Sequence, residues 1–111
     1  MKKSDFLEIE KRYNKERARL QGIKIGDLVW NTVSRGCWNM DYHPAVIKAV
    51  NVDESYVDVI DVSDGNKEKS YSDEDFVTEA ELLEREFTKG VINGERKKYK
   101  GIIKMVLAQN D

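Results

Sequence analysis

The sequence predicts an α+β fold: a small five-stranded, mostly antiparallel β-barrel flanked by an N-terminal helix and two C-terminal helices. Three observations predict it. Val- and Ile-rich runs over residues 45–51 and 56–62 are separated by short turn signals. The run Ser63-Asp64-Gly65-Asn66 is a strong turn, because Gly and Asn tolerate positive φ. Helical stripes bracket this region on both sides. At 111 residues the chain reads as one domain, 1–111, with a helix over 4–20, the barrel over 24–77 and the C-terminal helices over 78–109.

Each element has its own signal. Ser4 can cap the first helix, and Asp5 and Glu8 lie in its first turn, where the helix dipole favours negative charge. Phe6, Ile9, Tyr13 and Leu20 fall near one stripe, and Gly22 supplies a stop. Residues 24–33 read as the first strand, with Gly26-Asp27 as a kink or turn at its start and Trp30 as a core residue. Residues 34–42 read as a loop carrying Cys37, Trp38, Met40 and Tyr42. Pro44 lacks an N–H and belongs at the beginning of the second strand, which continues over 45–51. Residues 53–55 form a turn. In the strand over 56–62, Val57 and Val59 share one face, and Ile60 and Val62 the other.

Residues 67–71 are polar and suit a fourth strand at a sheet edge; 72–75 read as a single helical turn, and Phe76-Val77 begin a short fifth strand. Thr78 and Glu81 form a capping box that opens a helix over 79–89, which Gly90 stops. Asn93 caps a last helix, in which Tyr99, Ile102, Ile103, Val106 and Leu107 follow helical spacing. Asn93-Gly94 is equally a hairpin signal. Residues 91–107 therefore stand between helix and hairpin, with periodicity favouring the helix.

Composition narrows the class. Apolar residues make up 40% and charged residues 36%, which fits a soluble protein with a wet surface. No apolar run approaches the roughly 20 residues that span a bilayer, and the N-terminus lacks a signal-peptide core, so a cytoplasmic location without membrane contact is expected. Cys37 is the only cysteine, so no intrachain disulfide forms. Lys, Ile and Asn usage suits an AT-rich bacterial or phage genome. The net charge of −2 conceals three blocks. Residues 1–48 balance at +4, residues 49–86 at −10 and residues 87–111 at +4. The expected consequence is an acidic barrel and basic helices that attract one another.

Several motifs over residues 38–76 line up with one known pattern. Tyr42-His43-Pro44-Ala45-Val46-Ile47 leads from an aromatic into a strand, and Val57-Asp58-Val59-Ile60-Asp61 is a strand of alternating valines. Ser63-Asp64-Gly65-Asn66 is the turn, and residues 72–76 are an Asp-rich closing segment. Together these resemble the Tudor and chromo-barrel-like small barrels over about half the chain. The resemblance implies a binding module rather than an enzyme. Family members that bind methylated ligands place an aromatic in the turn, where Asp64 stands here; Trp38, Tyr42 and Tyr56 are left to supply ring faces for a cation.

The candidate partner-binding residues are Trp38, Met40, Tyr42 and Tyr56, joined by an acidic set, Asp58, Asp61 and Asp64, read with Glu68 as a solvated strand face. Cys37 and His43 have no defined nucleophile–base geometry, and one Cys with one His falls short of a zinc site. With Gly65 at the sixth position of a calcium loop, the first would be Ile60 and the twelfth Tyr71, so that pattern fails. No catalytic residue, metal or cofactor is expected. Lys89, Arg96, Lys97, Lys98, Lys100 and Lys104 form an alternative, a basic C-terminal helix able to contact nucleic-acid phosphates. The leading expectation is a non-enzymatic module that docks on a protein or nucleoprotein partner. The alternatives are a phage or mobile-element accessory protein that inhibits a host nucleoprotein complex, its acidic middle covering a phosphate-binding surface, and a nucleic-acid binder using the basic helix. The oligomeric state is open, although the amphipathic first helix could pair.

Overall fold

A computed structural model describes residues 3–34, 40–85 and 88–109. The chain begins with helix α1 (Lys3–Gln21), followed by strands β1 (Leu28–Ser34), β2 (Met40–Asn51), β3 (Tyr56–Asp61) and β4 (Lys67–Ser72). A single 3-10 turn (Asp73–Asp75) joins β4 to β5 (Phe76–Thr78), and helices α2 (Glu79–Arg85), α3 (Lys89–Lys98) and α4 (Lys100–Gln109) complete it. The five strands form one antiparallel sheet in the order β4-β3-β2-β1-β5. The expected barrel is an open sheet. β4 pairs only with β3 and β5 only with β1, so among the described residues the two edges do not join.

Strand alternation builds two cores. On one face Val29, Ala45, Ile47, Val57, Val59, Tyr71 and Phe76 pack with Leu20 and Ile23 from the end of α1 and the turn after it. Tyr71 and Phe76 come from opposite edge strands yet share this cluster, so the sheet curls around it. On the other face Leu28, Trp30, Val46, Ile60 and Val77 pack against Leu82, Ile92 and Val106 of the C-terminal helices. Trp30 is 1% exposed, as its strand position predicts.

The start of β1 is set by Gly26. The amide of Asp27 donates to Lys24 O (3.1 Å) across a turn in which Gly26 has φ 92, a conformation that favours glycine. Gly26 N–H donates to Ile47 O and Ile47 N–H to Asp27 O, both at 2.8 Å, so two residues face one in a glycine bulge. The other turns behave as their residues predict. Gly65 and Asn66 have φ 64 and 60. Asn51 Oδ1 accepts from Glu54 N–H, and Ser55 has φ 58.

Three boundaries differ from the expectation. β2 begins at Met40, and Pro44 is its fifth residue, opposite Trp30, rather than its start. Ile47 bonds toward β1, so alternation turns the nitrogen of Pro44 toward β3, and β3 has already ended at Asp61, opposite Ala45. No ladder donor is needed there. Gly90 and Asn93 lie inside α3, which Thr88 caps by accepting from Val91 N–H. Residues 91–107 are helical rather than a hairpin. The ladder runs through Tyr99 (Tyr99 N–H to Glu95 O and Ile103 N–H to Tyr99 O, both 3.0 Å), while the φ −105, ψ 18 of Tyr99 bends the arm into α3 and α4.

Candidate functional site

The C-terminal arm is amphipathic, and its anchors are partly new. Ile92 (1% exposed) and Val106 (0%) are its most buried side chains, with Tyr99, Ile102 and Ile103 packed around them. Ile92 lay outside the predicted stripe because Asn93 was expected to open the helix. Leu107, inside the predicted stripe, is exposed and its side chain covers Gly26, where an added Cβ would stand 2.9 Å from Cδ2.

The opposite edge of the arm is cationic. Asn93, Arg96, Lys97, Lys100 and Lys104 follow helical spacing and, with Gly26, Asp27 and Ile103, line a groove of about 740 Å³ between the arm and the β1 bulge. Arg96 meets Glu79 at the start of α2. Lys98 lies over the Tyr99 ring at 5.3 Å. Lys89, Lys97, Lys100 and Lys104 meet no carboxylate among the described residues. Asp27, the single carboxylate among the lining residues, accepts from Lys24 N–H at 2.9 Å and is engaged with its own turn.

The expected attraction between the acidic middle and the basic helices is carried mainly by α1; among the described residues the C-terminal arm adds only Arg96–Glu79. Arg17 pairs with Asp53 at 2.8 Å, and Lys48 with Glu68 at 2.6 Å. Arg19, at the end of α1, donates through Nε to Glu81 (3.0 Å) and through Nη2 to Phe76 O (2.8 Å), and it also pairs with Asp73. Its guanidinium lies 4.6 Å from the centre of the Phe76 ring. This clamp joins α1, the 3-10 turn, β5 and α2, and nothing in the local sequence around Arg19 announces it. The capping box on α2 is present as predicted, with Thr78 N–H donating to Glu81 Oε1 at 3.0 Å. Burial opposes ionisation of Glu81, but the Thr78 amide, Arg19 and the Thr78 hydroxyl outweigh it and hold its carboxyl below the ordinary range.

The predicted acidic set is not one solvated face. Asp61 is 4% exposed. Alternation sends it to the concave side with Val57 and Val59, where Ser63 N–H (3.0 Å), Lys69 Nζ (2.8 Å) and Tyr71 OH (3.1 Å) all donate to it. Burial would raise its pKa; the Lys69, Ser63 and Tyr71 hydrogen bonds prevail and lower it. Tyr71 is pushed up to about 12 by burial and by the Asp61 charge. Asp64 is exposed and pairs with Lys69 at 2.9 Å, and Asp58 accepts from Ser70 Oγ. Both Lys69 and Asp61 are held in their charged forms by this arrangement.

Two of the predicted aromatic residues are described, and they lie toward opposite ends of β2. Tyr42 packs, half-buried, against the helix-side core, and Tyr56 is half-buried at the start of β3 opposite Asn51 and Ser72. Trp38 and Cys37 lie outside the described residues, as does the side chain of Met40. His43 sits in β2 opposite Asn31. Among the described residues no group of three or more His, Cys, Asp or Glu could hold a metal ion, and no helix is long and apolar enough to cross a membrane. Comparison with protein families, with curated proteins and with solved structures gives no match.

Proposed function

We propose that this protein is a non-enzymatic binding module that docks on nucleic acid or a nucleoprotein through the cationic edge of α3 and α4, contacting phosphates rather than reading bases. One observation carries this reading: Lys97, Lys100 and Lys104 share one groove and meet no carboxylate among the described residues, although the chain has a surplus of acidic groups. Cations on a helix edge, spaced by about 4.5–6 Å along its axis, suit a polyanion with regularly spaced charge. Arg96 and Asn93 add a fork-shaped donor and an amide at the same wall. The acidic sheet supports orientation, since it would repel phosphates and direct them to the arm. A cytoplasmic location belongs to the same proposal.

The test is fluorescence anisotropy with mixed-sequence duplex and single-stranded probes across a salt series. Wild-type binding should weaken linearly in a log–log plot. Each lysine removed should reduce the salt slope by about one and weaken all sequences alike. Affinity unchanged in the folded Lys97→Glu, Lys100→Glu, Lys104→Glu protein would refute the reading.

A further inference from the structure

We infer that the groove between the arm and the β1 bulge selects single-stranded over double-stranded nucleic acid, with phosphates on α3 and α4 and bases turned to Asp27. This rests on the nucleic-acid reading above and deepens it. The two walls differ in chemistry. Arg96, Lys97, Lys100 and Lys104 line one, and the bulge with Gly26 and Asp27 forms the other. Asp27 is exposed and shares the groove with these cations, yet it pairs with none of them, so the walls stand apart. Its Oδ2 accepts from Lys24 N–H at 2.9 Å, and among the described residues nothing donates to Oδ1. The backbone beneath it is fixed, since Asp27 O accepts from Ile47 N–H at 2.8 Å. Ile103, half-buried, adds apolar surface to the same groove. The cleft thus offers donors on one side and a held acceptor on the other.

A single strand has the matching polarity across its width. Phosphates run along one edge and bases along the other, and every base carries an N–H on its pairing edge. Any base can therefore donate to Asp27, so the site sets strandedness and not sequence. In a duplex those N–H groups are already used in pairing. A duplex would bring sugar and phosphate to the Asp27 wall, where like charge repels. Size acts in the same direction. A cleft of about 740 Å³ takes a ligand of drug size, roughly one or two nucleotides, and a duplex cannot enter it. The exposed lysines still meet a duplex from outside, more weakly. Charge density alone gives the opposite order, because duplex DNA carries one charge per ~1.7 Å of axis and a single strand half as many.

The test is competition at fixed salt against a labelled, short mixed-sequence single strand bound to the full chain, followed by fluorescence anisotropy. The unlabelled strand should compete about tenfold better than the duplex it forms with its complement. Asp27→Asn removes the charge but keeps a carbonyl that can accept from Lys24 N–H. It should narrow the preference several-fold, chiefly by strengthening duplex binding. The wild-type ratio decides the inference even if this variant fails to fold. Equal affinities or a duplex preference, with binding still lost in the Lys97→Glu, Lys100→Glu, Lys104→Glu protein, overturn the inference and leave the nucleic-acid reading standing. So does a single-strand preference that a folded Asp27→Asn protein keeps in full. Binding of neither form at low salt removes that reading and this inference with it.

Discussion

Two sets of cations in this molecule have opposite surroundings. At the α1 end of the sheet, Arg19 is 23% exposed and spends its guanidinium on Glu81, Asp73, two carbonyls and a ring face; nearby in kind, Lys69 is divided between Asp61 and Asp64. On the C-terminal arm, Lys97, Lys100 and Lys104 line a groove and meet no carboxylate among the described residues. The first set holds elements together. The second set does nothing for the fold that the geometry reveals, and that difference is the reason to look there for a partner.

The contrast can be broken or sharpened by substitution. The largest effect should come from the platform beneath the arm. Ile92→Ala opens a cavity under α3 and should destabilise by ~2–5 kcal/mol, read as a shift in the urea midpoint. If the midpoint is unmoved, the arm is not fixed on the sheet and the groove is not a preformed site. Arg19→Met comes next. It takes from Asp73 the cation that meets its carboxylate, leaves Glu81 with its Thr78 bonds alone and removes several charge-assisted hydrogen bonds, so a loss of ~1.5–3 kcal/mol is expected in the same assay. A loss no larger than that of an exposed lysine would dissolve the distinction between the two cation sets.

A smaller effect should appear in acid. Asp61 has a folded pKa below its ordinary 3.8, so the unfolded chain binds the proton first. Its contribution is fully present above that value and is lost as pH falls through it toward the folded pKa. The melting temperature of wild type should therefore fall more steeply below about pH 4 than that of Asp61→Asn. Parallel acid limbs would mean that the Lys69 and Tyr71 contacts do not favour the ionised form. The smallest effect is expected for Lys97→Ala, Lys100→Ala and Lys104→Ala, each within about 0.5 kcal/mol of wild type in thermal melts. Clear destabilisation by any of them would return that lysine to the structural set.

Much of this was legible in the chain because the signals were local. The alternation of Val57, Val59 and Ile60, the Thr78–Glu81 box, the Gly65-Asn66 turn and the 3-10 turn at residues 73–75 are each specified by a few neighbouring residues. What failed depended on distant partners. Pro44 is tolerated within β2 because β3 stops opposite Ala45. Asp61 is buried because Lys69 and Tyr71, on the next strand, are there to receive it. The periodicity of α1 identified a stripe but not what covers it, and only Leu20 reaches the core. For the candidate site, the basic residues of the arm were readable, whereas the contributions of Gly26 and Asp27 required the fold.

The central claim is that the α3–α4 edge, not the sheet, meets the partner. Backbone-amide NMR of the full chain, titrated at low salt with a short mixed-sequence duplex, addresses it directly. The account predicts shifts concentrated at Asn93, Arg96, Lys97, Lys100 and Lys104 and at Gly26 and Asp27, reversed by added salt. Shifts centred instead on Tyr42, Tyr56 and Asp58, or no shifts at any salt concentration, would contradict it.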